Sequence, residues 1–220
     1  MKPNILIAAG AILGFALMTS PAANAGAFVI TDLFNTGVDG SGVALGDNVL
    51  DPHYTLTAQP NNGTFLAETV FDDTFPIPPW VANNAGSRWI GPDSDNDANG
   101  PTGDYTYETT FTLLGNVNLG SVVISGLWGT DNIGLDILIN GISTLQANVN
   151  QFGSLTVFSV TSGFIVGTNS LEFILNNAGG PTGLRVDQIT GMYDLPEPTT
   201  LALFGLGLIG LGAMRRRRTA

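Results

Sequence analysis

An all-β chain is predicted, an antiparallel β-sandwich flanked by a signal helix at its N-terminus and a transmembrane helix at its C-terminus. Three observations predict it: short apolar alternations punctuated by Gly, Asn and Ser, no amphipathic helical stripe in the body, and an uncharged apolar run at each end. The 220 residues hold no cysteine, so an exported form has no disulfide to brace it and must rest on its core.

At the N-terminus, Lys2 precedes an apolar stretch from Ile5 to Met18, and Ala23-Asn24-Ala25 places small residues where a signal peptidase reads them. The run falls short of the about 20 residues of a spanning helix. Residues 1–25 are therefore expected to be removed, with Gly26 as the mature N-terminus and Ala23 and Ala25 as the recognised positions. Residues 26–50, rich in Gly and Asp, are expected to be partly irregular.

The sandwich is expected over residues 51–194. Each of the stretches "DPHYTLTAQP" and "GTFLAETVF" suits one strand, and Pro76, Pro78 and Pro79 before Trp80 mark a loop. Tyr105, Tyr107, Thr109, Phe111 and Leu113 alternate with polar residues, the period of a half-buried strand. Val122/Ile124, Leu135/Ile137/Ile139, Leu155/Val157/Phe158, Leu171/Phe173/Leu175 and Leu184/Val186 follow as further strands. Asn140-Gly141 after "LDILI" signals a tight hairpin, because both central residues of the favoured turn need positive φ.

Residues 195–220 close the chain. Pro196-Glu197-Pro198 leads into Leu201 to Met214, without a charge, and then Arg215 to Arg218. The arginines place the cytoplasm beyond the run and everything upstream outside it. This order resembles the PEP-CTERM sorting signal of bacterial envelope proteins. The resemblance implies a Gram-negative host that makes extracellular polysaccharide, transient anchoring in the inner membrane, and an exosortase that cuts near Pro196, Glu197 and Pro198; a retained anchor is the alternative. The stretches "SRWIGPD", "GDYTYETTFTL", "WGTDNIGLDILING" and "GTNSLEFILNNAGGPTGLRVDQITG" together resemble galactose-binding-like jelly-roll modules, which implies a jelly-roll topology for the sandwich and raises carbohydrate binding as a role.

Charge narrows the partners. Residues 26–197 hold all 18 acidic side chains against two basic ones, Arg88 and Arg185, a net charge of −16. Such a surface repels phosphate backbones, so no nucleic acid is expected, and it attracts cations. In "DSDNDANGPTGD", Asp93, Asp95, Asp97, Asn99 and Asp104 fall at positions 1, 3, 5, 7 and 12 of a calcium-loop pattern, with Ala98 where that loop wants Gly and Asp104 in place of the longer Glu. A structural Ca²⁺ is one expectation there; a solvated acidic loop is the other.

Catalytic signals are sparse. His53 is the lone histidine, no Gly-x-Ser-x-Gly elbow exists, and no local motif pairs two carboxylates, so no enzyme is expected. For a glycan, Trp128 with Asp131 and Asn132 in "WGTDN" offers a stacking face beside hydrogen-bonding groups, against which stands a core tryptophan under a polar turn. Arg185 in "GLRV" suits either an inner ion pair or a ligand contact. The sequence thus predicts a non-catalytic carbohydrate-binding module of the cell surface or extracellular matrix, its partners being signal peptidase, exosortase and extracellular polysaccharide. A structural matrix protein without a specific ligand and, less well supported, a glycoside hydrolase are the alternatives.

Overall fold

The computed structural model describes residues 27–60, 66–72, 74–92, 98–195, 205–212 and 215. Eleven strands occur among them: β1 Phe28–Val29, β2 Thr55–Ala58, β3 Glu68–Thr69, β4 Ile90–Gly91, β5 Gly103–Leu113, β6 Val123–Asp131, β7 Ile133–Ile139, β8 Ile142–Ser143, β9 Thr156–Val160, β10 Gly167–Asn177 and β11 Gly183–Tyr193. They form two sheets, ordered β3-β4-β11-β6-β9 and β2-β5-β10-β7-β8, and every named strand pair is antiparallel. From β4 to β11 the chain changes sheet at each step except the β7–β8 hairpin. The orders 4-11-6-9 and 5-10-7-8 are those of an eight-stranded jelly roll, which establishes the sandwich topology directly.

The alternation in β5 behaves as its sequence requires. Tyr105, Tyr107, Phe111 and Leu113 are buried on one face, against Phe173 and Leu175 of β10 and Ile137 of β7. Asn140 and Gly141 both have positive φ, +51° and +74°, and turn β7 into β8 with Ile139 opposite Ile142. Leu135, expected to face the core with Ile137 and Ile139, does not. The pairing of β10 with β7 passes from Ile174–Asp136 to Leu175–Gly134, so Leu135 is the extra residue of a bulge and is turned outward, 42% exposed. Val157 likewise faces solvent, while Phe158 fills the core.

The bulge has a packing reason. It brings Gly134 to the inner face, where a Cβ would stand 2.5 Å from the Trp128 ring. Trp128, on β6, lies across the sandwich from Phe173 on β10, with 5.9 Å between ring centroids.

Residues 27–50 are integral to the body rather than a separate arm. β1 pairs with the end of β11, Ile30 and Val38 are buried, and Thr36 exchanges hydrogen bonds with Val186. The Pro-rich loop and the segments that flank β3 and β4 contribute a second small core of Val70, Ile77, Trp80, Trp89 and Ala98. Near the C-terminus residues 205–212 are helical. Among the described residues no helix is long and apolar enough to cross a membrane.

Gly134→Ala should destabilise the fold by about 1–3 kcal/mol in urea denaturation, because the added methyl must push the Trp128 ring out of a filled core. Gly115→Ala, whose Cβ would meet nothing within 4 Å, is the control.

Candidate functional site

Three connections meet at one end of the jelly roll: the β4–β5 loop, the β6–β7 turn at Asn132, and the β10–β11 loop. Polar side chains knit them together. Asn132 donates its N–H to the Asn176 carbonyl at 3.0 Å, and its Oδ1 accepts from the Ala178 N–H at 2.6 Å. Asn177 Nδ2 donates to the carbonyls of Gly100 at 2.8 Å and Pro101 at 3.2 Å. Thr182 donates its N–H to the Ala98 carbonyl at 2.9 Å and its hydroxyl to the Asp131 carbonyl at 2.7 Å. At the rim, Asp104 accepts from Asn176 Nδ2 at 2.7 Å, both side chains reaching solvent.

The structure therefore joins two stretches that the sequence singles out separately. Asn99 and Asp104 of the acidic pattern and Asn132 of "WGTDN" all abut the same 176–181 segment. Ala98, at the calcium-loop position that wants Gly, adopts φ +48°. Asp93, Asp95 and Asp97 lie outside the described residues, as do the processing residues Ala23, Ala25, Gly26, Pro196, Glu197 and Pro198.

Trp128 is no sugar platform. It is 0% exposed and belongs to the main core, since β6 turns its indole inward to meet β10. Trp80, Trp89, Tyr105 and Tyr107 are buried as well. Asp131 is also internal, 4% exposed, and does not offer its carboxylate to a surface ligand; Oδ2 accepts from Trp80 Nε1 at 2.7 Å, and Oδ1 has no hydrogen-bond partner. Of the trio, only Asn132 reaches the rim. Burial raises the Asp131 pKa from its usual 3.8 to about 6, opposed by the Trp80 donor and the Asn132 side chain.

Arg185 is an inner residue. It is 2% exposed, its guanidinium donating to Ser87 Oγ at 2.9 Å, to the Ala82 carbonyl and to Asp187 at 3.4 Å. Arg88 is 6% exposed and pairs with Asp47 and, at 3.1 Å, with Asp72. Both cations of the body are thus withdrawn from its surface. His53 stacks on Phe34, with 3.7 Å between ring centroids.

Several residues of chemical interest escape sequence reasoning. Asn176, Asn177 and Thr182 hold the loop end together; the run "NNAGGPTG" signals a turn, but not which loops that turn will touch. Glu108 and Glu172 stand directly opposite on β5 and β10, and burial together with Glu172 raises the Glu108 pKa. They are 64 residues apart in sequence, so only the strand register brings them together.

Comparison with known proteins identifies the tail. Residues 194–218 match the PEP-CTERM protein-sorting motif, so the chain carries the export and sorting signal of a Gram-negative bacterial protein that an exosortase processes. No curated protein matches the chain. Solved structures similar to the body include the CBM36-1 domain of a multidomain xylanase from the hindgut metagenome of Trinervitermes trinervoides, at 13% identity over 43% of this chain and 87% of that one, with a TM-score of 0.28. Others are the Stig cyclase Fisc from Fischerella sp. TAU, at 12% identity over 78% and 100% with a TM-score of 0.36, and the PA14 sugar-binding domain of an RTX adhesin, at 16% over 66% and 96% with a TM-score of 0.23. The jelly-roll assignment rests on the strand order and not on these likenesses.

Two substitutions test the burial of Trp128 and Asp131. Trp128→Ala should cost about 3–5 kcal/mol in chemical denaturation, the loss of a fully buried indole. Asp131→Asn should flatten the pH dependence of stability. A native pKa of about 6 above the usual 3.8 means that this carboxyl favours the folded state when protonated, fully so below about pH 4, and that its contribution is lost as pH rises through 6. Thermal melts should show the wild type losing stability between pH 4 and 7 relative to Asp131→Asn, by about 1–2 kcal/mol after allowance for solvent screening.

Proposed function

We propose that the protein is a non-catalytic module of the extracellular polysaccharide matrix that engages neutral glycan through the polar loop end of its jelly roll. The observation that supports this reading is the convergence of three loops on a rim of amide and carboxylate groups, led by Asn176 and Asp104. Such groups donate to and accept from sugar hydroxyls. With Trp80, Trp89, Trp128, Tyr105 and Tyr107 buried, recognition rests on hydrogen bonds, and a shallow polar rim recovers little beyond the cost of ordering a flexible glycan, so affinity is modest.

In this reading signal peptidase releases Gly26, the run Leu201 to Met214 anchors the chain transiently in the inner membrane, and exosortase cuts near Pro196-Glu197-Pro198. Leu206, Leu208, Ile209 and Leu211 of the terminal helix are exposed, as an anchor requires. Outside the membrane, a body of net charge −16 with both arginines buried repels an anionic polymer and admits one only across bridging cations. A calcium ion at Asp93, Asp95, Asp97, Asn99 and Asp104 belongs to the same proposal, as a structural brace of the loop end. Burial of the five aromatics favours a second reading, a matrix component without a specific ligand.

A glycan array and the host's own purified polysaccharide, each with calcium and with chelator, decide between the two. The wild type should bind a neutral glycan, and Asp104→Ala with Asn176→Ala should weaken that binding about tenfold in chelator, where the pair shifts the melting temperature little, both side chains being partly solvated. Absence of binding under every condition gives the structural reading. Calcium should raise the wild-type melting temperature and leave that of Asp95→Ala unchanged.

A further inference from the structure

The folded body reaches Leu195. Beyond the end of β11 the Asp194 N–H donates to Ser121 Oγ at 2.8 Å, the Asp194 carbonyl accepts from the Asn118 N–H at 3.0 Å, and Leu195 packs against the core. Pro196 follows at once, and the apolar run opens five residues later at Leu201. Three residues of extended chain reach only about 10 Å and five about 18 Å. An enzyme that holds Pro196-Glu197-Pro198 must therefore meet the pole of the body from which they issue.

That pole is apolar. Val29, Met192 and Val123 stand side by side by register across β1, β11 and β6, and are 59%, 48% and 38% exposed. Phe28, itself half-exposed, stacks on Tyr193 with 5.8 Å between centroids. Beside the stripe a groove of about 260 Å³ lies between Val29–Asp32, Thr112, Leu114 and Tyr193, room for one or two inserted side chains. Contiguous large apolar side chains on a polar, acidic body mark a contact surface.

We propose that this stripe and groove form the surface on which exosortase, a membrane-embedded protein, seats its substrate while holding Pro196-Glu197-Pro198. The proposal rests on the sorting reading of the tail. Chain length supplies the partner: no spacer separates the fold from the motif, so the stripe lies against whatever protein binds there. Asp32 and Asp194 flank it, which disfavours an anionic lipid surface and suits a protein rim carrying cations.

The test uses the full chain in its exosortase-bearing host, with tail removal followed by pulse-chase and intact mass. Val29→Ser with Met192→Ser should slow tail removal at least fivefold at unchanged melting temperature. A ten-residue Gly/Ser spacer between Leu195 and Pro196 should abolish that difference, because the enzyme then reaches the motif without touching the body. A photo-crosslinking residue at position 123 should capture exosortase. Wild type that keeps its arginines overturns the sorting reading and this one with it. A processed wild type with an equally fast double variant overturns the docking surface alone, and crosslinks to lipid without exosortase assign the pole to the membrane instead.

Discussion

Arg185 places a full positive charge inside the protein, and much of the first sheet is arranged to satisfy it. A guanidinium out of water needs acceptors on every side. Ser87, the carbonyl of Ala82 and Asp187 supply them, and Asn84 in turn donates to Asp187 at 2.9 Å. Those partners come from β11 itself and from the stretch between the Pro-rich loop and β4. Arg88 repeats the device a step away, drawing in Asp47, Asp72 and the carbonyls of Leu45 and Val70, while Thr36 bridges Arg88 and Val186. Irregular segments that bury little apolar surface are thereby fixed to the outer face of β11. Desolvation lowers the Arg185 pKa, and the charges of Asp187 and Asp72 oppose that shift without reversing it, so the ion pair offsets only part of the cost of its burial.

Much of the fold is legible in the sequence because sandwich strands write their burial in a period of two. The stretch from Tyr105 to Leu113 shows it, and Asn140-Gly141 turns where positive φ permits. What escapes is set by register. Leu135 reads as core, yet the bulge that clears space for Trp128 turns it outward, and a bulge leaves no mark in local composition. "WGTDN" fails as a surface motif for the same reason. Its Trp and Asp belong to the last residues of β6 and are buried on its two faces, Trp128 in the main core and Asp131 against Trp80 of the second, so the turn begins only at Asn132. The acidic pattern and the Asn-rich loop were each visible alone; their meeting is a property of the topology, which places the ends of β4, β6 and β10 together.

Burying its two arginines also gives the body an unusual exterior. The carboxylates that remain outside, among them Asp39, Asp104, Glu172 and Asp194, have no exposed Lys or Arg between them among the described residues of the body. Neighbouring copies repel one another at low salt, and screening over about 10 Å at 0.1 M relaxes that repulsion. A dense matrix of such modules would swell or contract with the ions around it.

The pairing of β1 with β11 joins Phe28 to Tyr193, the two extremes of the body. A contact of that separation is slow to find, because the whole intervening chain must first be free to move. It also needs β11, which lies between β4 and β6 in its sheet, so the first sheet has no stable form until the final stretch before the sorting motif has been delivered. A chain built in this order completes its first sheet only once both of its ends are free to meet.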